Sequence, residues 1–529
     1  MKKYVIFLIL ISLVALWPFF KKGFFETHDG EWMVIRFSAF HQTLTGGQFP
    51  VRFVDRLNNN YGYPVLNFLY PLPFYLSEIP KILGIGFVDS VKITFIASSV
   101  FSALAMFWAL SQLFTKNASL AGAMVYLFIP YRFVDLYVRG SLGENVAFAV
   151  APIVLGSIFK ISKGQVIFLP LLAICVGLLI TSHNVVAALF LPLLFLISML
   201  LIKKGKQKIL SAFFSGLLIS AFFWISALYD LQFVKLSEIK VSEITDHVSY
   251  INKLIIPSWG YGATPQGQEY FSPQVGIVAL AIFIASVYLF LKSKKKDNVV
   301  AALLIVFIAT FLLMSKASLP IWKNMPLIDV IQFPWRLLSV MVLISGLLAA
   351  FVVDSIKNNR LITILIIVAS ITSTIIYTKP KNFVDREDGF YATNEATTTV
   401  RDEYLPLWVK ESPNKRAGQK IELTNNGELS NLKIRPTNYQ ATITTQEGSE
   451  ILVNTIFFPG YKVQVDGQSV PTNFQNKFGL ITFQLPKGIH EVIITYGKTP
   501  VHLASEIVSL LALIGTGVWF YTLWRKQNS

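Results

Sequence analysis

The chain has 529 residues, 53% of them hydrophobic and only 14% charged, with a formal net charge of +16. A soluble domain usually carries about 25% charged residues, and the apolar residues here gather in runs long enough to cross a bilayer. This excludes a cytosolic enzyme, a disordered chain and a disulfide scaffold. The single cysteine, Cys175, lies inside an apolar run and has no partner for an intrachain bridge.

Taken in chain order, twelve apolar segments are predicted, at about 4–20, 93–113, 118–132, 145–161, 165–181, 185–202, 209–229, 274–292, 298–315, 335–353, 361–377 and 503–524. The first opens with Lys2-Lys3, has no small-residue cleavage site, and is expected to be a retained signal anchor. The third is short and ends at Pro130, so it is expected to be tilted or re-entrant. With the N-terminus placed inside, the inner loops hold 17 Lys and Arg against only Asp297 and Asp354, so +15 of the +16 lies on one side. The excess charge is therefore a positive-inside signature rather than a nucleic-acid site. Both termini are expected in the cytoplasm. No Asp, Glu, Lys or Arg is expected in the middle of a span.

Three long segments are expected on the other side: 21–92, 230–273 and 378–502. The first begins Glu26-Thr27-His28-Asp29-Gly30-Glu31, a dense cluster just past the first span. A carboxylate there can accept a proton from a hydroxyl; alternatively Thr27 or Asp29 caps the helix that runs on through Trp32 and Arg36. Tyr, Phe and Pro crowd the stretch 58–75, as suits interfacial helices in the headgroup layer. Arg139 and Glu144 flank an outward turn, where they either pair with each other or leave Arg139 to grip a phosphate. Ser182-His183-Asn184 fills a second outer turn, and Gln332-Phe333-Pro334-Trp335-Arg336 stands at the outer end of the tenth segment.

After Tyr377 the pattern changes to period-two alternation. Strands are predicted at 431–436, 439–445, 451–458, 461–466, 479–485 and 489–496, with Asp466-Gly467 as a hairpin turn. This suggests an antiparallel sandwich of jelly-roll type. No His/Cys cluster or nucleophile motif falls in it, so it is expected to be structural or to contact glycans. The chain has no P-loop, GxGxxG, CxxC or HExxH pattern. Nucleotide-dependent chemistry is unsupported, and an outward-facing enzyme would need a lipid-linked donor.

His28-Asp29, Gly46-Gly47-Gln48-Phe49-Pro50, Gly62-Tyr63-Pro64, Tyr70-Pro71-Leu72, Arg139 through Glu144, Ser182-His183-Asn184 and Phe333-Pro334-Trp335-Arg336 together resemble a bacterial membrane-protein family. It carries the label "6-pyruvoyl-tetrahydropterin synthase-related", a misleading one, since no soluble domain here could hold that enzyme's three-histidine zinc site. The architecture of residues 1–377 resembles the GT-C glycosyltransferase superfamily, and the tail resembles the last module of enzymes that decorate surface polymers. About 12 spans are expected in all, within 1–377 (with 21–92 as the first outer loop) and one last span with a short basic tail (503–529), with an extracytoplasmic β-sandwich (378–502) between them. The resemblance implies transfer of sugar from a polyprenyl-phosphate carrier to a surface glycan or polymer in a bacterial-type plasma membrane. By the resemblance Asp29 falls on the family's acidic position, with His28 beside it and Glu31 or Glu26 as an alternative base. Arg36, Arg139, Glu144, His183 and Arg336 would bind substrate. Membrane lipids and the lipid-linked sugar are the expected partners. No cofactor is expected, and a divalent metal is left open. A transporter or lipid flippase, or a non-catalytic glycan-binding membrane protein, are the rival readings.

Overall fold

A computed structural model describes residues 1–239, 243–266, 269–324, 331–357 and 359–528. All twelve apolar segments are helical over most of their length. Among the described residues six helices are long and apolar enough to cross a membrane: Phe87–Leu110, Leu142–Ser162, Asn184–Leu201, Pro334–Asp354, Asn359–Tyr377 and Pro500–Asn528. Two bent pairs raise the number to eight if each is one span: Lys116–Leu127 with Pro130–Arg139, bent by 43°, and Lys206–Ile219 with Ala221–Leu231, bent by 61°. Lys2–Ala15, Val166–Ser182, Ile277–Lys292 and Asn298–Leu313 are shorter. A 16-residue helix is only about 24 Å long against a hydrocarbon core of about 30 Å. The twelve apolar segments thus divide into eight of spanning length, two of them bent, and four shorter helices. The expected weakness at Pro130 is real. Proline lacks an amide and disfavours helix in the residue before it, and Ile129 is accordingly extended.

Leu142–Ser162 packs along Phe87–Leu110, and the 334–354 helix packs along Lys116–Leu127; these pairs form the centre of the bundle. The last helix lies at its margin against Lys206–Ile219 and Ala221–Leu231.

The β-module consists of two antiparallel sheets facing one another. The larger has five strands in the order Gly427–Arg435, Asn438–Thr445, Gly488–Tyr496, Tyr461–Val465, Gln468–Val470; the smaller runs Ile421–Leu423, Ser449–Ile456, Leu480–Leu485. Burial alternates strictly along Asn438–Thr445, the period-two pattern made physical. Ile443, Val463 and Val492 of one sheet meet Ile451, Val453 and Phe483 of the other in one apolar core. The short strands Ile421–Leu423 and Gln468–Val470 were not expected: three residues are too few to display an alternation.

The first loop is built into this module. Phe53 enters the sandwich core, 5.2 Å from the Tyr461 ring and 5.3 Å from that of Tyr496. Asp55 accepts from the Tyr461 hydroxyl at 3.1 Å and from the Thr437 amide. Phe24–Phe25 pairs with Phe383–Val384 as a two-stranded ribbon. Helix Asp388–Thr393 packs on helix Gly30–Thr45, where Ser38 donates to the Tyr391 carbonyl. Regular sandwich strands thus begin at Ile421, and much of the stretch before them lies over the first loop.

Candidate functional site

The site is assembled where two loops touch. The His28 and Asp29 amides donate to the carbonyls of Val138 and Arg139 at 2.9 and 2.8 Å. Gly140, at φ +65°, makes this approach possible: a Cβ there would stand 2.4 Å from Thr27 Oγ1 and 2.7 Å from the Gly30 amide nitrogen. Thr27 Oγ1 accepts from the Gly30 amide at 2.8 Å and so takes up the helix N-terminus. Asp29 makes no capping bond. Its carboxylate acts electrostatically on Arg139, Arg336 and the hydroxyls of Tyr70 and Tyr404.

Arg139 is held in a buried cluster. Its guanidinium donates to Asp135 Oδ1 and the Tyr131 hydroxyl, each at 3.0 Å, and to Glu144 Oε2, and it lies 4.7 Å from the Trp335 ring centroid. The expected pairing of Arg139 with Glu144 is present, with Asp135 as a second carboxylate. One oxygen of each, Glu144 Oε1 and Asp135 Oδ2, is buried without a hydrogen bond. Arg336 follows on the turn Pro334–Leu337 and donates to the Ile331 carbonyl and Gln332 Oε1 at 3.1 and 3.0 Å, leaving its Nε buried without a partner. Deeper in the bundle, Arg132 reaches Ser102 Oγ and Asn145 Oδ1 at 3.1 and 3.2 Å. Arg132, Asp135 and Arg139 lie on the second limb of a bent pair and are 1, 1 and 4% exposed. Charge confined to loops was the expectation; the bend past Pro130 brings it inside, where mutual pairing offsets the cost of desolvation.

The remaining candidates divide. The His183 ring stacks on Tyr70 at 4.6 Å, and its Nδ1 accepts from the Val186 amide, so it caps the following helix while facing the site. Gly143 makes room for Tyr70: a Cβ there would fall 2.1 Å from its ring. Arg36 donates through Nε to Thr398 Oγ1 at 2.9 Å, and to the Thr398 carbonyl, and its charge acts on Tyr70 and Tyr404. His28 Nε2 bonds the Tyr261 carbonyl at 3.1 Å, and burial pushes its imidazole below the ordinary value. It therefore anchors the second loop rather than bonding to Asp29. Glu31 points elsewhere: its carboxylate accepts from the Tyr391 hydroxyl at 2.9 Å and pairs with Arg386 at 3.1 Å. Tyr70, Tyr131, Tyr404 and Asp135 were not anticipated as site residues. Tyr70 lies within the Tyr70-Pro71-Leu72 motif, but nothing in the spacing marks an aromatic as facing a carboxylate. Burial pushes the Tyr404 hydroxyl up to about 12, so it stays protonated. Among the described residues no group of three or more His, Cys, Asp or Glu is placed to hold a metal ion.

No family model matches the chain, and no curated protein matches it; the pterin-synthase-related resemblance rests on its motifs alone. Among solved structures the chain is similar to the arabinofuranosyltransferase AftD from Mycobacteria, with a TM-score of 0.50 and 15% identity over 74% of this chain and 28% of AftD. It also matches the Archaeoglobus fulgidus oligosaccharyltransferase in its apo form, at TM-score 0.42 and 15% identity over 76% of this chain and 56% of that one. The same archaeal enzyme, AglB, in complex with an inhibitory peptide and a dolichol-phosphate, matches at 0.39 and 15% over 75% and 56%. The protein is thus a multi-pass membrane protein whose fold, over 74% of the chain, is similar to that of AftD. It spans 28% of the AftD length.

Proposed function

We propose that the protein is an integral-membrane glycosyltransferase that moves a sugar from a polyprenyl-phosphate carrier to an acceptor on the extracytoplasmic side. The observation that carries this reading is Asp29. Its carboxylate makes no bond to the helix it precedes, and its charge acts on Arg139 and Arg336. In the proposed reaction Asp29 takes the proton of the acceptor hydroxyl as that oxygen attacks the anomeric carbon. The bond from that carbon to the carrier phosphate breaks, and the phosphate leaves with both electrons. Arg336, with Arg139 behind it, offsets the charge that grows on the leaving phosphate. His183 and Tyr70 form a stacked wall, and the interfacial stretch 58–75 and the membrane helices would receive the lipid.

The test is reconstitution. The purified full chain in proteoliposomes, given a set of radiolabelled polyprenyl-phosphate sugars and a cell-envelope acceptor fraction, should release polyprenyl phosphate and label the acceptor with at least one donor. Absence of turnover and of saturable donor binding across the set would contradict the reading.

A further inference from the structure

A cleft of about 750 Å³ lies in the β-module, away from the Asp29 site, at the mouth of the sandwich. One wall is Gly427–Arg435, the edge strand of the larger sheet, and Leu423, at the end of the edge strand Ile421–Leu423 of the smaller, also lines it. The floor is contributed by the first loop, through Asn59, Asn60 and Tyr61. The volume falls within the range of ligand clefts, about 300–1,000 Å³.

Its lining has an unusual chemistry. Six of its 17 residues are amides: Asn59, Asn60, Gln419, Asn425, Asn426 and Asn454. An amide side chain offers both donors and an acceptor; Asn59, Asn425 and Asn454 already donate to Pro413, to Gly448, and to Gln419 and Glu422, which leaves Asn60, Gln419 and Asn426 to match a hydroxyl, itself both donor and acceptor. The two cations in the lining are already engaged: Arg416 pairs with Glu395 at 2.8 Å, and Lys420 Nζ donates to the Asn60 carbonyl at 2.7 Å. Burial pushes Lys420 down to about 8, consistent with a walled floor rather than an open surface. Leu429, Leu432 and Ile434 supply an apolar wall, with Ile434 54% exposed. Amides, an aliphatic wall, cations with no spare charge and one carboxylate, Glu428, able to accept from a hydroxyl, suit an uncharged sugar. Addition of a peptide strand to the Gly427–Arg435 edge is disfavoured, because a bulge between Ser430 and Lys433 interrupts it.

Three consecutive asparagines, Asn58, Asn59 and Asn60, hold left-handed backbone with φ of 60, 54 and 67°. Such strain persists where the surroundings enforce it. Here Asn59 is tied to the Glu395 and Pro413 carbonyls, and the Tyr61 carbonyl accepts from the Ile456 amide. The same turn thus closes the cleft and is locked to the sandwich.

We infer that this cleft is a binding site for an uncharged oligosaccharide, holding a glycan acceptor at a distance from the residue it extends. The identification of the ligand as acceptor rests on the transferase reading; the binding does not.

The full chain in nanodiscs is titrated with arabinan, mannan and glucan fragments of two to six sugars, followed by saturation-transfer NMR and calorimetry. At least one series should saturate. Gly418 lines the cleft, and a Cβ on it meets nothing within 4 Å, so the side chain of Gly418→Trp starts in open space and obstructs the opening. It should weaken binding by about tenfold or more, and Gln419→Ala and Asn426→Ala severalfold each, as for hydrogen bonds lost to a sheltered ligand. Asp29→Asn should bind normally. No saturable binding by the wild type, or binding unchanged by Gly418→Trp, overturns the inference. Binding abolished by Gly418→Trp in a protein that transfers no sugar would leave the cleft standing and remove the transferase. Transfer by the wild type with no oligosaccharide bound would do the reverse.

Discussion

The fate of each carboxylate near the first span depends on which neighbour reaches it. Thr27 takes the helix N-terminus, Tyr391 and Arg386 take Glu31, and Asp29 keeps its oxygens for the site. Glu31→Gln should therefore lower transfer far less than a change at Asp29, its main effect being a loosened contact with the segment around Tyr391, seen as faster local hydrogen exchange there. Arg139 is in the opposite position, committed to two buried carboxylates. Arg139→Met leaves Asp135 and Glu144 uncompensated and should cost about 3–5 kcal/mol, measured as a fall in the thermal midpoint in detergent; a midpoint equal to wild type would show that the cluster is not structural. The pairing of Arg139 with Glu144 was legible from their positions around one turn. Asp135 was not. It lies four residues before Arg139, a spacing that pairs side chains on a helix, but the segment was read as a loop because Pro130 was taken as a helix end rather than the start of a second limb.

Among the elements, the loop carrying His247 supports the site indirectly. Trp335 Nε1 donates to His247 Nδ1 at 3.4 Å, and the Trp335 ring in turn faces Arg139. That bond requires a neutral imidazole, and burial pushes His247 down from 6.5 to about 4. Between these values the unfolded chain binds more protons than the folded one, so stability falls as the pH is lowered from 6.5 toward 4. His28, also pushed down by burial, acts in the same direction. A pH series of thermal midpoints should decline over this window, and His247→Asn should reduce the slope without abolishing it; an unchanged slope would remove His247 from the account. The first loop makes a second test. Phe53 is fully buried between module aromatics, so Phe53→Ala should cost about 3–5 kcal/mol and disturb the loop that carries Asp29. The strands of the module were legible because one face is buried and the other is not. The penetration of Phe53 into their core was not, since an aromatic in a Tyr- and Pro-rich loop suits a membrane interface equally well.

At the scale of the molecule, the distribution of lysines predicts the orientation and the helices supply the spans. Reporter fusions after Lys206 and Lys295 should read cytoplasmic, and fusions near Gly262 and Asn425 extracytoplasmic; a cytoplasmic reading at Asn425 would place the β-module, and Asp29 with it, on the wrong side for a lipid-linked donor. The helical class of the fold was plain from composition. The division into spanning and shorter helices was not, because hydropathy registers the length of an apolar run and is blind to a bend within it. The most direct measurement of the central claim pairs the wild type with Asp29→Asn in proteoliposomes, following donor binding and sugar transfer in the same preparations. Removal of a general base costs about 10²–10⁴-fold. The account predicts that Asp29→Asn binds the polyprenyl-phosphate sugar as tightly as the wild type and loses transfer by about that factor. Transfer at near wild-type rate by Asp29→Asn would contradict it.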